Sequence, residues 1–268
     1  MSRKVEYINP AGLRLDGRRG FEHRRVTCDF GTLDNCDGSC VLTSGGTTVL
    51  ARVQGPKELG RGVAQQDATL ADRVVVTCDV AITAFAGERR RQVAATAGSR
   101  ASEDISRTVQ SIAQSLILAS QYPPSNIHIR IDVLHHDGSE KATAINAACL
   151  ALLDASIAIR GIVLATTVGV LDSQIVCDLS ATEIRSQCPT LSAAFLVTAV
   201  GSSSPPNGND GANVSYLELN CRVSDAALDD MMREASACAH NLHKAIAPSL
   251  KSHAQDVRAA LQQSQGKR

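Results

Sequence analysis

The sequence predicts a single α+β domain, of mixed α/β type, running through residues 1–268. Three observations carry that expectation. Alternating apolar and polar residues, the period of a half-buried strand, dominate residues 24–54. Apolar residues at spacings of three and four mark helices that begin near residues 102, 140 and 224. The order is strands, helix, strand, helix, further strands and a final helix, which reads as two similar halves of one domain.

Along the chain, HRRVTCDF, SCVLTSG and TTVLARVQG read as strands, with DNCDGS and SGG supplying the turn chemistry of a meander or hairpin pair. RVVVTCDVAI (73–82) is another, presenting Val74, Val76, Cys78, Val80 and Ile82 on one face. The small, polar and basic stretch 85–98 follows as a mobile loop. Ile105, Val109, Ile112 and Leu116 then define a helix, with Glu103 and Asp104 in its first turn, where the helix dipole favours acids. Pro123 and Pro124 stop it.

NIHIRIDVLHH (126–136) alternates as a strand, and a second helix carries Ile145, Ala148, Cys149, Leu152 and Ser156 on one stripe. Strands follow near 162–171, 174–178, 191–200 and 214–221, the last two separated by SSSPPNGNDGAN (202–213), a flexible insertion. A long helix capped by Ser224 repeats Leu228, Met231, Met232, Ala235, Ala239, Leu242 and Ile246 at helical spacing, ahead of a tail at 262–268.

Composition narrows the function. Lys plus Arg and Asp plus Glu are equal at 27 each, so no whole-molecule field draws the chain to nucleic acid or membrane, and a polyanion contact must come from a local patch. The nine cysteines are odd in number and sit mostly in apolar stretches, which suits buried thiols in the cytosol or nucleus better than a disulfide framework. The N-terminus lacks an apolar signal region, and the apolar stretch 149–171 is broken by Asp154 and Arg160, so no membrane span is expected.

Four local features are candidates for chemistry. IVCDLSATEI places Asp178 at the end of an apolar strand and Glu183 five residues on, the type of carboxylate pair that serves acid/base or metal chemistry. LHHDGSEK is a strand, a Gly turn and a helix N-terminus, where free N–H groups can hold phosphate, although Glu140 in the first turn opposes an anion and Lys141 offers a single point charge. His135 and His136 with Cys36 and Cys40 lack zinc-like spacing, so the two histidines are expected to end a strand, one facing in and one out, and no metal or cofactor is expected. Lys57 and Arg61 in GPKELGRG, and Arg89, Arg90 and Arg91 in GERRRQ with Arg100 soon after, suit either a solvated loop or a phosphate backbone.

GLRLDGRR (12–19), GTTVLARVQGPKE (46–58), VLHHDGSEKATAINAACLALLDASI (133–157), VGVLDSQIVCDLSATE (168–183) and the final helix together resemble the RNase PH family, in order over nearly the whole chain. The resemblance implies an RNase PH-like fold, ribosomal protein S5 domain 2-like, of two βα units with central sheets and flanking helices. It implies assembly with other RNase PH-like subunits into an RNA exosome ring, beside S1/KH-type cap subunits and a separate catalytic nuclease. Single-stranded RNA would pass through the channel, in the nucleus (nucleolus) and cytoplasm. Active relatives cleave RNA from its 3′ end with phosphate, using a Gly-Thr-Arg turn and two Asp residues six positions apart.

Here that turn aligns with Ser139, Glu140 and Lys141, and the second Asp position holds Ile184. The sequence therefore predicts a vestigial site that keeps Asp178 and has no catalytic residue, with rescue by Glu183 as the alternative of an active exoribonuclease. By the same resemblance Lys57, Arg61 and Arg100 are expected to touch RNA phosphates at the channel entrance. Arg89, Arg90 and Arg91 would compensate for Ala101, where relatives carry a second basic residue.

Overall fold

Two sheets with a helix pressed between them organise the molecule. The computed structural model describes residues 7–58, 74–88, 90, 100–122, 124–172, 174–197 and 213–265. The first sheet has β1 (Val26–Phe30), β2 (Gly38–Ser44), β3 (Thr47–Glu58), β4 (Val75–Ile82) and β5 (Ser125–His135), in the order β1-β2-β3-β5-β4. Its pairs are antiparallel except β4 with β5, which run parallel. A parallel pair needs a crossover, and helix α1 (Arg100–Leu116) lies in it.

The second sheet is antiparallel, with β6 (Ile162–Leu171), β7 (Gln174–Cys177), β8 (Thr190–Val197) and β9 (Val214–Leu219) in the order β7-β6-β8-β9. Helix α2 (Glu140–Asp154) joins the sheets, a one-turn helix α3 (Ala181–Ile184) follows β7, and α4 (Asp225–Gln265) closes the chain.

Helix α2 is buried on every face from Ala142 to Leu152, not along one stripe, because β2 and β3 cover one side and β6 the other. Its sequence suits that place, since residues 142–153 carry no charge. The one amide among them is satisfied: Asn146 donates to Ala165 O at 3.0 Å and accepts from Ala165 N at 2.6 Å. Ser156 lies beyond the helix, exposed, with φ of 57°.

Helix α1 runs antiparallel to the edge strand β4 and covers its outer carbonyls with side chains one turn apart. Ser106 Oγ donates to Cys78 O at 2.6 Å and Gln110 Nε2 to Val76 O at 2.8 Å. Helix α4 buries Met231, Ala235, Cys238, Ala239, Leu242 and Ile246. Further on, His253 stacks on Phe30 at 4.6 Å and reaches Asp154 Oδ1 at 2.7 Å.

The structure corrects several expectations. The halves differ, one sheet being five-stranded and mixed and the other four-stranded and antiparallel. Residues 262–265 of the expected tail continue α4, because the helix needs no core beneath it to keep its own hydrogen bonds. Cys177 and Cys238 are joined as a disulfide where α4 crosses the end of β7, whereas Cys40, Cys78 and Cys149 are buried thiols as expected. Burial pushes the Cys149 thiol up to about 11 and Cys78 up to about 12, which keeps both protonated. Most of the expected loop at 85–98 and all but Asn213 of the insertion lie outside the described residues. Among those residues no helix is long and apolar enough to cross a membrane.

Because Leu150 is fully buried between the sheets, Leu150→Ala should destabilise the fold by about 3 kcal/mol, read as a lower urea midpoint with unchanged slope.

Candidate functional site

The loops at one end of the first sheet converge with the segment after β7. Strands β4 and β5 both end there, at Ile82 and His135, and α1 begins there because it runs antiparallel to β4. Ala86 O accepts from His136 N at 2.8 Å, so the turn after β4 is tied to the turn after β5.

Asp178 stands at the centre, 5% exposed and in the left-handed region with φ of 54°, a conformation that Asp tolerates better than most residues. Arg24, two residues before β1, grips its carboxylate from two sides. Nη2 donates to Oδ1 at 2.7 Å, Nε donates to Oδ2 at 2.9 Å, and the Arg24 backbone N–H donates to Oδ2 at 3.0 Å. Burial alone would raise the Asp178 pKa, and the Arg24 hydrogen bonds and charge outweigh it, holding the carboxyl below its ordinary value. Arg24 also donates to Asp137 O at 2.6 Å and Gly138 O at 3.4 Å, so one guanidinium joins three loops.

Glu183 is equally committed. It is fully buried in α3 and paired bidentately with Arg14, whose Nε donates to Oε1 at 2.8 Å while Nη2 donates to Oε2. Its Oε2 also accepts from Ser180 N at 2.8 Å, completing a capping box. Arg14 Nη1 in turn donates to Cys177 O at 2.6 Å. Each oxygen of both carboxylates already accepts a hydrogen bond, and α3 turns Thr182 and Ile184 outward, Ile184 39% exposed.

The candidate phosphate turn is closed in the same way. Gly138 takes φ of 85°, and a Cβ there would lie 2.5 Å from Leu179 O, so the turn and the 178–180 segment pack backbone to backbone. Ser139 Oγ donates to Leu179 O at 3.0 Å rather than capping α2. Glu140 Oε2 lies 2.9 Å from His136 Nδ1. Lys141 Nζ sits 2.6 Å from both Asp104 Oδ2 and Glu218 Oε2, near Tyr216 OH. Burial pulls the Lys141 pKa down and the two carboxylates more than reverse it, so the cation is present but already neutralised. The cavity beside Asp178, lined by His23, Ser44, Thr143 and Thr167 among others, measures about 20 Å³, room for a water-sized group and not for a nucleotide.

The basic candidates are dispersed. Lys57 is exposed at the far end of β3 and donates to Gln54 Oε1 at 3.3 Å, Arg90 is exposed after the β4 turn, and Arg100 is exposed at the start of α1. Arg61, Arg89 and Arg91 lie outside the described residues. Lys57 pairs with Asn126, and Asn126 with Val75, at the opposite end of β4 from Ile82. Seven residues of strand therefore separate it from the Arg100 end, roughly 23 Å at the usual rise. The structure brings Arg90 and Arg100 to the Asp178 end and leaves Lys57 at the other.

His135 is exposed and its ring contacts Gly46 O, while His136 turns to Glu140, so neither enters the core as expected of one of them. Cys36 Sγ donates to Leu33 O instead of facing a ligand set. Among the described residues no group of three His, Cys, Asp or Glu side chains could hold a metal ion. Sequence reasoning passes over Arg14 and Arg24, which dominate the site. The available signal was two acids inside apolar stretches, which burial obliges to find cationic partners.

Comparison with known proteins places this geometry. Residues 22–158 match the RNase PH model, described as the 3′ exoribonuclease family, domain 1. The chain is 31% identical over 258 residues to the mouse exosome complex component RRP41, covering 96% of this chain and 98% of that protein. It is 38% identical over 180 residues to an Arabidopsis thaliana RRP41 homolog, covering 67% and 72%. The fold is similar to rice Rrp46, with a TM-score of 0.70 at 21% identity over 88% of this chain and all of that one. It is also similar to a chain of the Archaeoglobus fulgidus exosome with RNA bound to the active site, with a TM-score of 0.70 at 18% identity over 87% and 92%.

Asp178→Asn leaves the buried Arg24 with the partly exposed Asp137, 3.5 Å away, as its remaining ion-pair partner and should cost about 3 kcal/mol at neutral pH. The lowered pKa stabilises the fold fully above the ordinary value of 3.8 and is lost as pH falls through the folded value, so the variant should lack that part of the wild-type acid-unfolding limb. Denaturant titration across pH 2–7 would measure both.

Proposed function

This chain belongs to the RNase PH family of 3′ exoribonucleases, and we propose that it is a non-catalytic ring subunit of an RNA exosome. Its relatives include proteins named as exosome components, which supports the ring assignment. The observation that carries the non-catalytic reading is the double commitment of acids: Asp178 to Arg24 and Glu183 to Arg14, both buried. The Glu183 alternative needs a carboxylate that can leave Arg14, and a bidentate pair fully removed from water does not release one cheaply. With Lys141 held between two acids and Glu140 beside it, the phosphate turn has no spare positive charge for inorganic phosphate.

In this reading the chain scaffolds other RNase PH-like subunits beneath S1/KH-type cap subunits. It guides single-stranded RNA toward a separate nuclease, in the nucleus (nucleolus) and cytoplasm, and supports 3′-to-5′ processing, rRNA maturation and mRNA decay. Lys57, Arg61, Arg89, Arg90, Arg91 and Arg100 contribute phosphate contacts. The separation of Lys57 from Arg100 suits an extended strand better than a compact ligand. No cofactor is invoked.

The deciding assay is release of nucleoside diphosphate from an unstructured RNA by the ring containing this chain, with and without inorganic phosphate. No phosphate-dependent release attributable to this subunit is expected; such release would overturn the assignment. For RNA contact, Lys57→Ala and Arg100→Ala should each flatten the dependence of log affinity on log salt by roughly 0.7 without changing sequence preference. Unchanged slopes would remove both residues from the path.

A further inference from the structure

Phe85 is the most exposed large apolar side chain among the described residues, at 68%. Its exposure is built in. Thr83 N and Thr83 Oγ1 both donate to Val133 O, at 3.0 and 2.9 Å, Ala86 N donates to Thr83 O at 3.1 Å, and Ala86 O holds His136 N. Ile82 and Ala86, on either side, are almost fully buried. The turn is thus anchored at both ends and holds the ring out in water.

Two arginines and one acid lie on or against the same turn. Just past the end of α3, Arg185 reaches across to this turn and meets Glu88 at 2.9 Å, with both side chains more than half exposed. Exposed pairs of this kind contribute little, so a phosphate can take Arg185 from Glu88 at small cost. Arg90, also exposed, follows two residues later. The turn is tied to the one after β5 and lies at the Asp178 end of the sheet.

We infer that Phe85 is a stacking platform for one base of a single-stranded nucleic acid, with Arg185 and Arg90 holding the adjoining phosphates. A lone aromatic face bordered by arginines is the combination that binds single strands without reading sequence, since every base offers a π-face. A protein partner would favour a wider apolar surface, whereas the outward residues of α3 beside Arg185 offer only Ile184 as a large apolar group. The inference rests on the proposal that this chain contacts single-stranded RNA, and it names the group that such a contact uses.

The chain has no tryptophan, so Phe85→Trp in the full-length protein introduces a single reporter. Titration with an unstructured oligoadenylate should quench its emission, while an abasic oligomer of equal length should not. Phe85→Ala should weaken oligoadenylate binding roughly five- to a hundredfold. Phe85→Tyr should keep the affinity and Phe85→Leu should not, and all should melt like the parent because the site is exposed. Arg185→Ala should flatten the salt dependence.

Binding of labelled RNA with no quenching, or equal quenching by the abasic oligomer, would overturn the platform and leave the RNA-guiding role standing. So would Phe85→Leu with parental RNA affinity and an emission change on adding ring neighbours alone, which would make Phe85 a protein contact. No RNA binding at any salt, by the chain or by its ring, would overturn both.

Discussion

Arg24 is the side chain on which the arrangement of this molecule turns. It lies just ahead of β1, and it bonds the carboxylate after β7 and the carbonyls after β5. The two sheets share α2 as their core layer, and Arg24 fixes how their loops meet at one end. In a low-dielectric interior such a charge is worth keeping only if every partner is present, and here all are. Arg14 repeats the device one step along, clasping Glu183 and the Cys177 carbonyl. Segment 14–24 therefore behaves as a strap along β7, an edge of the second sheet, and Cys177 N donating to Gly20 O at 2.8 Å adds its backbone to the hold.

That strap decides what the site can do. A carboxylate serves in proton transfer or metal binding when at least one oxygen is open to the reacting partner. Asp178 and Glu183 have both oxygens occupied, and Lys141 is held between Asp104 and Glu218. Among the described residues, the surface at this end includes Ile184, Arg185, Arg90, Arg100 and Phe85, all exposed. It offers cations for phosphates and an apolar face.

Much of this was legible in the sequence because it is local. The alternation in β2, β3 and β5 and the spacing of Ile105, Val109 and Ile112 on α1 are short-range signals, and the strands and helices appear where those periods place them. What escaped is non-local. Arg14 and Glu183 are 169 residues apart, and Arg24 and Asp178 are 154 apart, so no spacing rule relates them. Helix α3 is a single turn, too short to show a period. The all-round burial of α2 depends on a second sheet closing over it, and its one-sided stripe was the most that a helical period could reveal. The Cys177–Cys238 link likewise joins residues that only the crossing of α4 over β7 brings together.

The side chains that α1 lends to β4 give the molecule a direction. Ser106 and Gln110 occupy outer carbonyls that another strand would otherwise use, so the first sheet is terminated at that edge. At the far end of the second sheet β9 is last in order, with Val214, Leu217 and Leu219 exposed along it. The β4 margin is therefore closed to strand addition, whereas β9 presents an edge strand with apolar side chains in water.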